Sequence, residues 1–281
     1  MTSQADVRHE LYGGNLKQTL GTLLRTGAIR PVVRLGAIVW WTGGLLVFLV
    51  AGMWFASPWP RRRLWWRNRI VSRWARGMAW IVNMRVTVRG SRPEPPFFLV
   101  SNHVSYCDIV LLLGQVHGVF VAKKELNEWP AIGYLTRLVG TIFVDRNSRR
   151  DAKRVLQTID QRVASGDGVI VFPEGTSSSG DDVHPMRTAL FEWAAQTGKP
   201  VGIASIHYTT RPGMPSAREA VCWWGDMSFV PHVLQLCQMP GFDATLHFGD
   251  ELVTGNDRGL LAVQVREAVA RNFVPHRVEA P

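Results

Sequence analysis

His103 and Asp108 stand five residues apart in the stretch SNHVSYCD, residues 101–108. Each residue turns a helix by about 100°, so two side chains at this spacing diverge on a regular helix face. They can meet if His103 lies on a turn and Asp108 reaches back to it from the first turn of a helix. A carboxylate on one imidazole nitrogen fixes the tautomer and stabilises the imidazolium. The other nitrogen can then take a proton from a hydroxyl. The same eight residues also fit a plainer description, a helix start beside a histidine that satisfies a nearby carbonyl.

The flanks supply such a turn. The run PPFFLV before it reads as a buried strand, and IVLLL after it as the buried face of a helix. Ser105 and Asp108 have the Ser-x-x-Asp spacing of a capping box, with Ser105 as N-cap and Asp108 at N3. From residue 85 onward, strand and helix patterns alternate. Strands are expected at 86–89, 97–100, 119–122, 142–144, 169–172, 201–207 and 245–248. Helices are expected at 109–114, 128–138, 150–164, 188–197 and 260–272. The alternation implies an α/β fold, a mixed sheet flanked by helices.

The N-terminal third has a different character. Residues 1–34 are polar and mildly basic, without the arrangement of a signal peptide, and allow a short amphipathic helix around 16–24. Residues 35–56 contain no charged side chain, enough to cross a hydrocarbon core of about 30 Å. The segment reads as a transmembrane or re-entrant anchor, the latter broken at Gly43-Gly44; a buried soluble helix passes the same test. Residues 61–81 form an amphipathic pattern, with Trp66, Ile70, Trp74, Gly77 and Ile81 on one face. Arg69, Arg73 and Arg76 flank that face, and Arg67 is a misfit near its apolar edge. An Arg–Trp helix of this kind suits an anionic membrane surface. Arginines are denser after the apolar segment than before it, which puts the rest of the chain on the cytoplasmic face. The expected organisation is thus 1–34, an anchor with its amphipathic helix at 35–84, a catalytic domain at 85–273, and a tail at 274–281.

The 281 residues carry a net charge of +10, so acidic partners are expected. Twelve tryptophans, dense in the N-terminal third, favour a membrane over nucleic acid. Cys107, Cys222 and Cys237 show no metal or redox spacing. In VIVFPEGTSSSG, residues 169–180, Gly175 permits close approach of a ligand, and successive amides there could receive an anion. Asp181 and Asp182 stand where a P-loop needs Lys and Ser or Thr, which excludes that motif. Ser177, Ser178 and Ser179 are not in a nucleophile elbow. In KKELNEWPAIGYLTRLVGTIFVDR, residues 123–146, Arg146 at a strand end could clamp phosphate or carboxylate. It could equally be a surface arginine paired with Asp145 or Asp151.

Four stretches in order resemble the glycerolipid (lysophospholipid) acyltransferase family, across roughly residues 85 to 210. NHVSYCD resembles its Asn-His-x4-Asp box. Gly140, Phe143 and Arg146 match its Gly-x-x-Phe-x-x-Arg box, FPEGTSS its third box, and KPVGIASI its fourth. The resemblance implies His103 as general base and Asp108 as its orienting partner. It implies that Arg146, Glu174, Gly175 and Thr176 bind the polar head of the acceptor, with Lys123 or Lys124 assisting. It implies direct acyl transfer from acyl-CoA or acyl-carrier protein to a lysophospholipid hydroxyl, with no metal, no cofactor and no covalent enzyme intermediate. The leading acceptor is 1-acylglycerol 3-phosphate. Two positions depart from the pattern: Ser177 replaces a common arginine, and Ile203 a common proline. WWGDMSFVPHVL, residues 223–234, resembles a subgroup that includes enzymes acylating lyso-ornithine lipid. A thioester or ester hydrolase and a non-catalytic lipid-binding membrane protein are the alternatives of other classes.

Overall fold

The computed structural model describes residues 29–145 and 148–276. The helix expected around 16–24 and the tail beyond 276 lie outside the described residues. Seven strands make one sheet: β1 Met84–Arg89, β2 Phe97–Ser101, β3 Gly118–Lys123, β4 Ile142–Val144, β5 Gly168–Val171, β6 Val201–Thr209 and β7 Phe242–Phe248. Their order is β1-β7-β6-β2-β5-β3-β4. Every pairing is parallel except β6–β7, so the sheet is mixed. β2 and β5 sit centrally and are buried along their whole length. That burial on both faces explains why they read as unbroken apolar runs.

Helices cover both faces: α1 Ile29–Phe55, α2 Pro60–Ile81, α3 Cys107–Gln115, α4 Ile132–Leu138, α5 Arg149–Ala164, α6 Glu192–Thr197, α7 Ala217–Ala220, α8 Phe229–Gln238 and α9 Arg258–Arg271. Side chains of β2 alternate between two cores, as strand geometry requires. Leu99 joins Val71 and Ala75 of α2 and Leu111 and Leu112 of α3 on one face. Phe98 and Val100 join Ile159 of α5, Trp193 of α6 and Val265 of α9 on the other.

Local chemistry moves several expected boundaries. The helix expected over 128–138 is divided into a 3-10 turn, Lys124–Glu128, and α4. Pro130 holds Trp129 in extended backbone, which ends the first piece. The helix expected over 188–197 likewise begins as a 3-10 turn, Thr188–Phe191, before α6. α7 and α8 were not legible as helices.

α1 and α2 form an antiparallel hairpin. α1 runs unbroken through Gly43 and Gly44, so a re-entrant break there is not observed, and it starts at Ile29 rather than after residue 34. Trp66 of α2 lies over Gly52 of α1, and Trp41 of α1 over Gly77 of α2; a Cβ at either glycine would collide with the indole. The indole N–H groups of Trp66, Trp41 and Trp74 donate to the Phe48 carbonyl, the Trp74 carbonyl and the Thr42 hydroxyl. The start of the hairpin is tied to the body. Arg30 and Arg34 donate to the carbonyls of Gln238 and of Cys237, Met239 and Pro240 at the end of α8.

The buried stripe of α2 is not the tryptophan face. It runs through Arg67, Asn68, Val71, Ser72, Ala75 and Ala79 and packs on α3 and the sheet. The apparent misfit, Arg67, is thereby explained. Its guanidinium is buried and donates to both oxygens of the fully buried Asp167 at 2.7 Å, and to Asn68 Oδ1.

Candidate active site

β2 ends at Ser101, α3 begins at Cys107, and the backbone between them is held at nearly every polar group. Asn102 continues the β2–β6 pairing with its side chain: Nδ2 donates to the Ile206 carbonyl and Oδ1 accepts from its N–H. The His103 N–H donates to Glu174 Oε1 at 2.9 Å, and its carbonyl accepts from Ser178 N at 2.9 Å. The Val104 carbonyl accepts from Trp223 N, and the Ser105 hydroxyl donates to the Val221 carbonyl at 2.6 Å. A buried turn must pair its backbone polar groups, and these bonds hold it in place.

Asp108 reaches back from the first turn of α3, as the capping-box spacing predicts. Its Oδ2 accepts from the N–H groups of Val104 and Ser105 and lies 2.7 Å from His103 Nδ1. The reciprocal half of the box is altered. Ser105 Oγ accepts from Cys107 N, because the helix starts at Cys107 and the hydroxyl is already committed to Val221. The other oxygen, Oδ1, accepts from the hydroxyl of Tyr208 at 2.7 Å. Tyr208 is fully buried near the end of β6, and burial pushes its hydroxyl well above the usual tyrosine range, so it remains a donor. Sequence reasoning did not single out Tyr208 or the pairing role of Asn102. Their partners lie about a hundred residues away in the chain, and no local spacing marks them.

The His103 ring stacks on Phe172, with centroids 4.1 Å apart, and Phe172 stacks on Phe120 of β3. Its Nδ1 faces the carboxylate, so Nε2 is the nitrogen left to accept a proton. Nε2 has no hydrogen-bond partner among the described residues. The pair is therefore built as an imidazole base whose tautomer and tilt are fixed.

The other expected site residues fall in different surroundings. Glu174 has a fully buried side chain whose oxygens accept from His103 N and His184 N. It holds the His103 turn in place, with both oxygens taken by backbone N–H groups. Burial pushes its carboxyl up to about 8, against the opposing pull of the two amides. Gly175 has φ +82°, a conformation that favours glycine, and Thr176 beside it is exposed. Lys123 is exposed at the end of β3, while Lys124 pairs with Asp145 at 3.4 Å. Arg146 lies outside the described residues. Ser178 Oγ bonds the His103 carbonyl and not the imidazole. Burial pushes the Cys107 thiol up to about 12, so it is an inert structural thiol.

The segment 223–234 docks on this turn. Besides the Trp223–Val104 bond, the rings of Trp223, Phe229 and Tyr106 pack together, and Trp129 packs on Phe229. Trp223 Nε1 donates to the Met227 carbonyl and closes the loop at whose tip Asp226 is exposed.

Comparison with known proteins agrees with this geometry. A family model described as Acyltransferase matches residues 84–208, the stretch from β1 to the strand that carries Tyr208. A lyso-ornithine lipid O-acyltransferase of Brucella abortus (strain 2308) is 32% identical over 267 residues, 90% of this chain and 94% of its own. A 1-acyl-sn-glycerol-3-phosphate acyltransferase of Neisseria meningitidis serogroup B is 33% identical over 154 residues, 54% of this chain and 60% of its own. Among solved structures, the 1-acyl-sn-glycerophosphate acyltransferase from Thermotoga maritima has the same fold. Its TM-score is 0.60 at 22% identity, covering 87% of this chain and 98% of that one. The His–Asp turn, the sheet that presents it and a relative matched over nearly its whole length agree: the chain is an acyltransferase and belongs to the lysophospholipid acyltransferase family.

Proposed function

We propose that the chain moves a fatty acyl group from an acyl thioester to the free hydroxyl of a lysolipid. The observation that carries this reading is the His103–Asp108 pair, 2.7 Å apart, with Nε2 unpartnered among the described residues. In the proposed step, Nε2 accepts the hydroxyl proton as the oxygen attacks the thioester carbonyl. The imidazolium, stabilised by Asp108, then returns that proton to the departing thiolate. Neither Cys107 nor Ser178 is placed as an activated nucleophile, which supports direct transfer. Acyl-CoA or acyl-carrier protein is the proposed donor, and both are acidic, as the net charge of +10 favours.

For the acceptor, the whole-length similarity to a lyso-ornithine lipid enzyme favours lyso-ornithine lipid. The docking of segment 223–234 on the catalytic turn supports the same choice. The second reading is 1-acylglycerol 3-phosphate, supported by the Neisseria relative over about half of the chain. Purified protein offered both acceptors with either thioester, with products resolved by mass spectrometry, is expected to yield diacyl product from lyso-ornithine lipid in excess. Free fatty acid with no acylated lipid would replace transfer by hydrolysis.

The hairpin gives the proposed membrane contact. α1 is long and apolar enough to cross a membrane, and Val39, Trp40, Val47, Phe48, Trp54 and Phe55 on it are exposed. α2 packs along α1, however, and exposes Arg61, Arg62, Arg63, Arg69, Arg73 and Arg76. Each such charge costs about 2.5–3.5 kcal/mol or more at a bilayer centre. Both the start of α1 and the end of α2 join the body. We therefore place the outer face of α1 in the apolar layer and the arginines of α2 at the headgroups of one surface. That surface would be the cytoplasmic one. Full-length protein is expected to stay on liposomes through a high-salt wash, since apolar burial is not screened. Complete release by salt would reduce the contact to surface charge.

A further inference from the structure

Ser177 stands where the family resemblance places an arginine, and the fold brings a different cation, Arg187, against the neighbouring Gly175. Residues 184–187 run beside that turn: the N–H of His184 donates to Glu174 Oε2 and the N–H of Arg187 to the Pro173 carbonyl at 2.8 Å. The guanidinium of Arg187 then lies against the bare face of Gly175. A Cβ built on Gly175 would meet its Nε first, with Cδ at 3.0 Å and Cζ at 3.2 Å. Any side chain at 175 would displace the arginine, and the φ of +82° itself favours glycine there.

Arg187 is exposed, and its guanidinium has no hydrogen-bond or ion-pair partner among the described residues. The acidic groups nearby are committed elsewhere. Glu174 is buried against two backbone amides, Asp181 pairs with Arg218 at 3.0 Å, and Asp182 pairs with Arg266 at 3.1 Å. Within the turn itself, the N–H groups of Thr176 and Ser177 find no acceptor among the described residues, and the Thr176 hydroxyl is equally unbonded. Successive free amides after a left-handed glycine form a concavity that suits an anion. An arginine fork at its rim adds a charge-assisted, directional contact. The turn follows directly on Glu174, whose Oε1 holds the His103 N–H.

We propose that Arg187, with the amides of Thr176 and Ser177 and the Thr176 hydroxyl, binds the anionic group of the acceptor head. It would supply from ten residues downstream the cation that Ser177 lacks. The proposal rests on the acyl-transfer reading above. The anion is a carboxylate in an ornithine head or a phosphate in a glycerol 3-phosphate head, and the shared chemistry is a small oxyanion held beside the base.

The experiment measures steady-state kinetics of full-length wild type, Arg187→Gln and Arg187→Lys in neutral mixed micelles. Lyso-ornithine lipid, 1-acylglycerol 3-phosphate and uncharged monoacylglycerol serve as acceptors, with the acyl thioester varied separately. Losing a charge-assisted contact is expected to lower kcat/KM for the anionic acceptor about ten- to hundredfold in Arg187→Gln. Arg187→Lys should fall between that variant and wild type. The thioester KM and the activity on monoacylglycerol should not change. A rise in thioester KM with acceptor kinetics intact would overturn the proposal and assign the charge to the donor. Unchanged acceptor kinetics in an active Arg187→Gln protein would overturn it while leaving acyl transfer standing. Wild-type protein that acylates none of the acceptors would instead remove the acyl-transfer reading, and this proposal with it.

Discussion

Replacing His103 with alanine is expected to lower acyl transfer by about a hundred- to ten-thousandfold, the range lost with a general base, without unfolding the protein. The turn does not depend on the imidazole. Asp108 keeps its bonds to the N–H groups of Val104 and Ser105, and Glu174 holds the backbone N–H of residue 103 whatever its side chain. Asp108→Asn is expected to lose much of the rate as well. The amide oxygen can take the place of Oδ2, and its NH2 can donate to Tyr208, whose hydroxyl then reverses its role. Geometry survives, but the charge that stabilises the imidazolium does not. Tyr208→Phe should act more mildly, by about tenfold in rate, because it removes one bond to a charged group and leaves the carboxylate in place. Steady-state rates and thermal unfolding of the three variants check the series. A folded His103→Ala protein with wild-type turnover would remove His103 from the chemistry.

Asp167→Ala is expected to be the most destabilising single change away from the site. It leaves the guanidinium of Arg67 buried without its carboxylate, since Arg162 stands 4.0 Å from Asp167 and offers only more positive charge. Stranding one member of a buried ion pair costs about 3–5 kcal/mol, which lowers Tm by roughly 10 °C in a chain of this size. The double variant Arg67→Met/Asp167→Leu should recover most of that loss, because removing both charges also removes the desolvation cost. Tryptophan fluorescence during heating measures all three proteins. A wild-type Tm for Asp167→Ala would show that water reaches Arg67. The same pair bears on truncation. A chain starting at residue 85 would leave Asp167 with only Arg162 at 4.0 Å and strip Val71, Ala75 and Ala79 from the core, so it is expected to be unstable as well as unanchored.

The amino-acid sequence by itself determined the strands, most of the helices and the motif order. Unbroken apolar runs marked the central strands, an uncharged run marked α1, and the spacing of Ser105 and Asp108 marked the helix that carries the carboxylate. These signals are local: a strand or helix shows its period within its own residues, and a capping box spans four positions. Only the tertiary structure decided who meets whom across the chain. Arg67 looked like a flaw in an amphipathic pattern because such patterns assume that charge stays in water. A partner a hundred residues away lets it be buried. Glu174 read as a ligand-facing carboxylate, and the fold turned it inward onto the His103 N–H, 71 residues away. Tyr208 carried no mark at all, because a hydroxyl gains its partner from the group packed against it. That group is selected by the packing of the whole sheet, and spacing along the chain does not encode it.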